Sequence, residues 1–506
     1  MPDEFWAGHE TGIPTLGAVA AANGLAADTA MRILEFGGNA IDAAIAASHA
    51  AGVVEPLDCG LGGAGFMIIH HAESGRIEAI DFLGAAPARA HYELYSSNTP
   101  QGEYLIRVMG RHNVLGHRAV AVPGAVRGFA AAHSRYGKLP MSVLFQPAIK
   151  LAEEGFPISY KGALRMHRTV PILSHTKSCR SLYLNQRGEA FAEGERIRNL
   201  DYAKTLRLVA AEGPDAFYRG DIAAAIVAEM RAHDGFLDID DLRNYRAVWR
   251  EPARGRFHGL EVTTMPPPSS GSLVFTGLDE LAKESPKGEE ATHEALARAM
   301  LGMFAARRFG FGDPNFKPVA VPEESAETTS LCTMDTAGNA ACVTYSNNNH
   351  SGVVVPTTGM LLNNQMALFS PWPDNPNQVA PGKRPVSSMM PTLLFRDGQP
   401  TMAIGASGST RIPTSLMQVL HRVLVQEKDL INAITEPKFH AESETMISDE
   451  DLRHIAEPLA TKLGLDYTAL ADRDTSLGVV QAIQRAENGV FIAVGDPRAR
   501  AQGRVQ

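Results

Sequence analysis

Thr328 and Thr329 follow an acidic, proline-bearing stretch that ends at Glu327, and an apolar, strand-like run begins directly after them. A threonine hydroxyl is a weak nucleophile by itself. If the Glu327–Thr328 peptide bond is cut, the freed α-amine, with an ordinary pKa of about 8, stands on the same residue as the hydroxyl and can serve as its base. One self-cleavage then creates an acyl-transfer site. The bland alternative is a β-branched strand start, and from the pair alone that alternative is preferred.

A second segment, Gly405-Ala406-Ser407-Gly408-Ser409, falls one residue short of the G-x-S-x-G nucleophile elbow, with Ser409 in place of the last glycine. A serine hydrolase needs that strained turn to expose Ser407, so the segment reads better as backbone N–H groups forming an oxyanion hole for another nucleophile. Gly60-Leu61-Gly62-Gly63-Ala64-Gly65 fits G-x-G-x-x-G, with Asp81 near the offset of a ribose-binding acid. A dinucleotide fingerprint needs a strand before it and a helix after it, whereas here an alanine-rich helix precedes and a strand follows. These glycines read as places where backbone passes close to backbone. The 17 histidines include no H-E-x-x-H, and the 4 cysteines, Cys59, Cys179, Cys332 and Cys342, have no C-x-x-C spacing. Reduced thiols are expected, with no metal and no cofactor.

Positioning these residues requires a mixed architecture. A helix is expected over 25–36, stopped by Gly37-Gly38, and Asn39 caps an alanine-rich helix to about residue 53. Strands over 66–71 and 77–82 form a hairpin, and 124–233 is mostly helical. A strand over 259–264 leads into the stiff Pro266-Pro267-Pro268-Ser269-Ser270-Gly271 loop, and a helix over 290–308 precedes the polar connector 310–327. Beyond it the chain is rich in sheet, with hairpins 331–334/340–346 and 393–395/401–404, a helix over 414–427 and a strand over 490–494.

The chain of 506 residues is long for one hydrophobic core, which favours several domains or one large layered one. Its formal net charge of -9 gives no basic field for nucleic acid or an anionic membrane. No apolar run approaches the roughly 20 residues of a membrane span, and the acidic start Met1-Pro2-Asp3-Glu4 lacks a secretory n-region. A cytoplasmic enzyme with small-molecule partners is the expectation.

Read together, several motifs resemble the γ-glutamyltransferase (γ-glutamyltranspeptidase) family in order: Asn39 with its helix, Glu55-Pro56 leading into 60–66, Ala121-Val122-Pro123-Gly124, the Pro266 loop, Thr328-Thr329, Leu361-Leu362-Asn363-Asn364-Gln365-Met366, Lys383-Arg384-Pro385-Val386-Ser387-Ser388-Met389, and 405–412. The resemblance spans nearly the whole chain. It implies an N-terminal-nucleophile (Ntn) hydrolase, made as one proenzyme and folded as a four-layer α/β/β/α sandwich with largely antiparallel sheets. Cleavage before Thr328 would give a large chain 1–327 and a small chain 328–506 that together make one layered domain. By the same resemblance Thr328 is the processing and catalytic nucleophile with Thr329 beside it, and Ser346 stands at the position of a supporting threonine. Asn348 and Gln365 match polar site residues, Ser387 and Ser388 the paired substrate-binding serines, and Gly408 and Ser409 the oxyanion glycines. The implied partners are an amide donor, then water for hydrolysis or an amine for transfer, with γ-glutamyl (glutathione-type) chemistry as the default.

Two positions depart from the pattern. Members that act on γ-glutamyl groups hold the donor's α-carboxylate with an arginine just before an Ala-Pro step, where this chain has Leu83. They hold its α-amine with an aspartate shortly after Asn-Asn-Gln-Met, where Ala367-Leu368-Phe369 stands here. Such charge-assisted contacts contribute roughly 1.5–3 kcal/mol each. Their replacement favours an acyl group with an apolar end; other branches of the resembled family are acylases and amidohydrolases, for instance the cephalosporin acylases and the oxamate amidohydrolase. Ser330 replaces a histidine often found after the threonine pair, and the 370–382 segment is short for the family's lid, which implies a more open pocket. An unprocessed binding protein is the reading from a different class.

Overall fold

The computed structural model describes residues 8–95, 111–284, 286–308, 311–316, 328–372 and 375–506. Glu327 and most of the connector before it lie outside these residues, as does the Met1–Glu4 start.

The alanine-rich helix Ala40–Val54 is buried on every side. A helix apolar all round has no solvent face, and its small side chains let neighbours approach closely. Its start is fixed by a capping box: Asp42 N–H donates to Asn39 Oδ1 at 2.9 Å, and Asn39 N–H donates back to Asp42 Oδ2 at 3.2 Å. The helices Gly24–Glu35 and Met141–Glu154 flank it.

Two seven-stranded sheets form the centre. One runs Gln502–Val505, Gly17–Ala21, Thr329–Asp335, Ala340–Ser346, Ala64–His71, Arg76–Phe82, Val248–Arg250; the other runs His9–Gly12, Phe491–Gly495, Val479–Arg485, Gln399–Ser407, Thr392–Arg396, Leu260–Thr264, Ala253–Phe257. Every neighbouring pair within them is antiparallel. Alternation along Thr329–Asp335 sorts its side chains between two layers. Leu331 and Thr333 turn to the helices, Thr333 Oγ1 donating to Ala40 O at 2.7 Å. Ser330, Cys332 and Met334 turn to the other sheet, where Ser330 Oγ lies against Gly405 and Cys332 Sγ against Gln481 O at 3.5 Å. Helices Leu273–Glu284 and Arg411–Leu424 pack on the second sheet, and Glu289–Arg308 packs on Leu273–Glu284 outside it. The result is the expected α/β/β/α sandwich, and both sheets take strands from either side of residue 328.

The hairpins 66–71/77–82 and 331–334/340–346 are present with wider limits. The expected helix 414–427 is shifted to Arg411–Leu424, and Glu427 has a left-handed φ of 55° that no α-helix tolerates. Short strands such as His9–Gly12 and Gln502–Val505 gave no period of their own, because pairing partners hundreds of residues away define them. All four cysteines are free and buried, with Cys332 and Cys342 directly opposite each other and their sulfurs 3.3 Å apart. Among the described residues no helix is long and apolar enough to cross a membrane.

Candidate active site

Thr328 ends the approach to the strand Thr329–Asp335 and is almost completely buried. Thr329 pairs with Tyr345, so Ser346 lies beside Thr328 at the end of the neighbouring strand. Around the threonines stands a charged cluster. Thr329 Oγ1 donates to Glu55 Oε2 at 3.1 Å, and Lys161 Nζ donates to the same oxygen at 3.1 Å and to the Thr328 carbonyl at 3.4 Å. Lys161 also pairs with Asp58 Oδ2 at 2.9 Å, and Arg165 Nε approaches Asp58 Oδ1 at 3.3 Å. Glu55 caps the C-terminus of Ala40–Val54, and Asp58 follows one turn later. Lys161 and Arg165 are a helical turn apart on Tyr160–Leu173, whose start is fixed by Gly162 N–H donating to Ser159 Oγ at 3.1 Å. All four charged side chains are buried, which is tolerable only because each faces an opposite charge. Burial pushes the Glu55 carboxyl above its usual value, and Lys161 works against that.

The glycine-rich turn builds the adjoining wall. A Cβ on Gly62 would stand 2.2 Å from Leu361 O, and one on Gly63 would stand 2.8 Å from both Asn347 Oδ1 and Ser346 O. Only glycine allows the polar 346–348 and 361–365 segments to lie against this turn. Asn348 occupies a left-handed φ of 58°, its N–H donates to Ser346 Oγ at 2.6 Å, and its Nδ2 donates to Asn364 O at 3.3 Å. Its buried Oδ1 has no hydrogen-bond partner among the described residues. Gln365 joins this wall to the turn after Arg76–Phe82: Nε2 donates to Ser346 O at 3.1 Å, and Oε1 accepts from Gly84 N–H at 2.9 Å. The G-x-G-x-x-G segment thus serves close approach, as expected. Asp81 is not open to a ribose: Arg384 and Arg250 close on its two oxygens at 2.6 and 2.7 Å.

Ser387 is clasped by the proline loop, its N–H donating to Pro268 O at 2.9 Å and its carbonyl accepting from Ser270 N–H at 2.7 Å. Ser388, next to it, is fully buried. Gly408 and Ser409 form the turn between Gln399–Ser407 and Arg411–Leu424, with φ of 128° and 60°. Among the described residues the Gly408 N–H makes no hydrogen bond. Ser409 holds a left-handed conformation that costs a non-glycine residue roughly 1–2 kcal/mol. No described histidine or carboxylate hydrogen-bonds the Ser407 hydroxyl, so a Ser-His-acid triad at this turn has no support.

Leu83 is fully buried within the apolar cluster between the sheets, and Leu368 is buried in the short 3₁₀ turn Gln365–Leu368. Away from these walls, one described cluster carries a metal-like donor set: His117, Glu229 and His233. Its imidazoles stack with centroids 4.4 Å apart and planes 9° from parallel, so their in-plane lone pairs run side by side rather than converge. His117 Nε2 instead pairs with Glu229 Oε1 at 2.9 Å.

Thr328, Thr329, Ser346, Asn348 and Gln365, singled out from the sequence, stand on adjoining elements, and Asp58, Lys161 and Arg165, which the sequence did not single out, stand beside the threonine pair. Glu55 was legible only as part of a motif. Lys161 and Arg165 carry no local signal beyond their i, i+4 spacing on a helix.

Two packed antiparallel sheets between helical layers, with a threonine pair at the start of a central strand, define an N-terminal-nucleophile hydrolase. The chain belongs to the gamma-glutamyltranspeptidase family, which it matches over residues 26–324 and 317–505. Its relatives include a glutathione hydrolase proenzyme of Escherichia coli K12, 31% identical over 96% of this chain and 90% of that protein. An acylase ACY 1 proenzyme of Pseudomonas sp. SE83 is 34% identical over 84% of this chain and 82% of that one. Among solved structures, a cephalosporin acylase from Bacillus halodurans superposes with a TM-score of 0.87 at 27% identity, covering 98% of this chain and 96% of that one. The protein is an enzyme of the hydrolase and acyltransferase class.

Proposed function

We propose that the chain matures by cutting itself between Glu327 and Thr328 and then transfers acyl groups through Thr328. Thr328 Oγ attacks the Glu327 carbonyl carbon, the peptide nitrogen leaves as the Thr328 α-amine, and water hydrolyses the resulting ester. In turnover the same Oγ attacks a substrate amide, the α-amine takes its proton and returns it to the leaving amine, and an acyl-enzyme forms. Water completes hydrolysis; an amine completes transfer. The Gly408 and Ser409 N–H groups receive the oxyanion, a contribution of roughly 3–4 kcal/mol per donor in a known hydrolase. Thr329, Ser346, Asn348, Gln365, Ser387 and Ser388 line the site. The proenzyme names of the relatives and the threonine pair's place beside Ser346 support this reading. It rests above all on Thr328 being gripped at its carbonyl by a buried ammonium. Intact mass under denaturing conditions tests it: fragments 1–327 and 328–506 are expected, and a chain that stays whole and takes no acyl probe at residue 328 overturns it.

For the donor we propose an acyl group without the α-carboxylate and α-amine of a γ-glutamyl substrate. The two expected clamp positions hold buried leucines, and the guanidiniums of Arg384 and Arg250 are occupied by Asp81. The acylase relative favours the same choice, the glutathione hydrolase relative the other. Rates on γ-glutamyl-p-nitroanilide and on aliphatic acyl anilides decide between them, and faster turnover of the γ-glutamyl compound removes this proposal. A cytoplasmic location belongs with these proposals.

A further inference from the structure

The proposed chemistry does not use Lys161, yet this is the side chain that holds the nucleophilic residue. Its Nζ sits 3.4 Å from the Thr328 carbonyl oxygen while bonded to Glu55 at 3.1 Å and Asp58 at 2.9 Å. An ammonium, with three N–H donors, can serve these contacts together. Glu55 in turn receives the Thr329 hydroxyl at 3.1 Å, so the pair grips the peptide between Thr328 and Thr329 from the carbonyl side and from the following side chain. The other Glu55 oxygen, Oε1, is buried with no hydrogen-bond partner among the described residues.

We propose that Lys161 is a positioning residue for the nucleophile, whose ammonium, locked by Glu55 and Asp58, fixes the Thr328 carbonyl and sets a cation beside the nitrogen that becomes the free α-amine. The inference rests on Thr328 being the nucleophile, and it adds how that amine is kept competent as a base. The carbonyl and the α-nitrogen belong to one residue, so the cation acts over a few ångströms through a buried medium. A nearby cation favours the neutral amine and lowers its pKa, and a nearby anion does the reverse. Glu55 therefore opposes Lys161 in charge while holding it in place.

Among the described residues, the charged groups that face Thr328 from the packed elements are Glu55 and Asp58 after Ala40–Val54, and Lys161 and Arg165 on Tyr160–Leu173. The titratable groups around them carry no charge near neutral pH. Burial raises the Cys59 thiol and the Tyr345 and Tyr202 hydroxyls well above their ordinary values, and burial beside Arg165 lowers His350 to about 3. Two of these four described charges are cationic and two anionic, so removing one shifts the field at the amine by a definite sign.

The test compares Lys161→Met, Lys161→Arg and Glu55→Gln in the full chain, each checked for cooperative thermal unfolding and for cleavage by intact mass. The readout is the acidic limb of kcat/KM, which reports the free enzyme. Lys161→Met leaves net negative charge and should raise the limb by about one pH unit, with kcat at the plateau down at least about 10-fold and KM within about 3-fold. Lys161→Arg keeps the cation and should hold the limb within about 0.3 units of wild type. Glu55→Gln leaves net positive charge, keeps an acceptor for Thr329, and should move the limb down. Opposite movements in Lys161→Met and Glu55→Gln support the assignment; unmoved limbs, or movement in the same direction, overturn it in favour of a purely structural pair. If Lys161→Met unfolds like wild type but stays a single chain, the other two variants decide, and a Glu55→Gln limb that stays or rises overturns the proposal. Acylation of wild-type Thr328, read by peptide mass, is the separate control: its absence defeats the nucleophile assignment itself, whatever the variants do.

Discussion

The two ends of the candidate site use buried charge in opposite ways. Around Thr328, Glu55 and Lys161 each keep a contact directed at the threonine pair, so charge points at the reacting residue. Around Leu83, Asp81 is closed between Arg384 and Arg250, and the Arg384 backbone N–H is bound by Asp313 at 3.0 Å, so charge is consumed within the wall. On the proposed reading, attack and donor recognition are built separately here, the first beside buried charge and the second from leucine.

The largest way to break this contrast is Thr328→Ala. The chain is expected to stay whole and to lose at least about 10³-fold in kcat/KM, because the hydroxyl is lost and, without cleavage, the α-amine is never freed; cleavage that persists in this variant refutes the nucleophile assignment. Next comes Asp81→Ala, which removes the carboxylate shared by the buried Arg384 and the half-buried Arg250 and should cost about 3 kcal/mol in denaturant unfolding. Whatever enzyme remains folded should still be cleaved before residue 328, and uncleaved folded protein would tie the two ends together after all.

A smaller effect concerns acid. His49, stacked on Phe145 at 3.9 Å, and His350 are both lowered to about 3 by burial. The folded state therefore binds fewer protons than the unfolded one between about pH 6.5 and 3, and stability falls as pH drops through that window, by about 1.4 kcal/mol per histidine per pH unit at most. Calorimetry at pH 7, 5.5 and 4.5 should show a falling Tm, steeper in wild type than in His49→Phe. Ser409→Gly is the smallest change: if the oxyanion donors are backbone N–H groups, relieving the left-handed serine should leave kcat/KM within about threefold and shift stability by no more than about 1 kcal/mol. A large loss of activity would mean that the Ser409 hydroxyl takes part.

Much of this molecule was legible in its residues. Asn39 was legible as the cap of its alanine-rich helix, and Gly75 and Gly338 stand in the expected hairpin turns with left-handed φ of 63° and 91°. The motif order around Thr328 pointed to the family, and with it to the sandwich. The turn at Gly408 and Ser409 was legible from its glycine and small residues. Less legible were the short edge strands and the end of Arg411–Leu424, since a few residues without a clear period carry little local preference.

What the sequence by itself determined is chemistry that lies close along the chain: the threonine pair, the glycine turn, the caps and the hairpins, each set by neighbours a few residues apart. What only the tertiary structure decided is which distant side chains meet there. Lys161 stands 106 positions from Glu55 and 167 from Thr328, and Arg384 stands 303 from Asp81. No periodicity links such positions; they meet because burial of two sheets against each other and against the helices fixes the register of every layer, and the buried charges then accept only the partners that this register supplies.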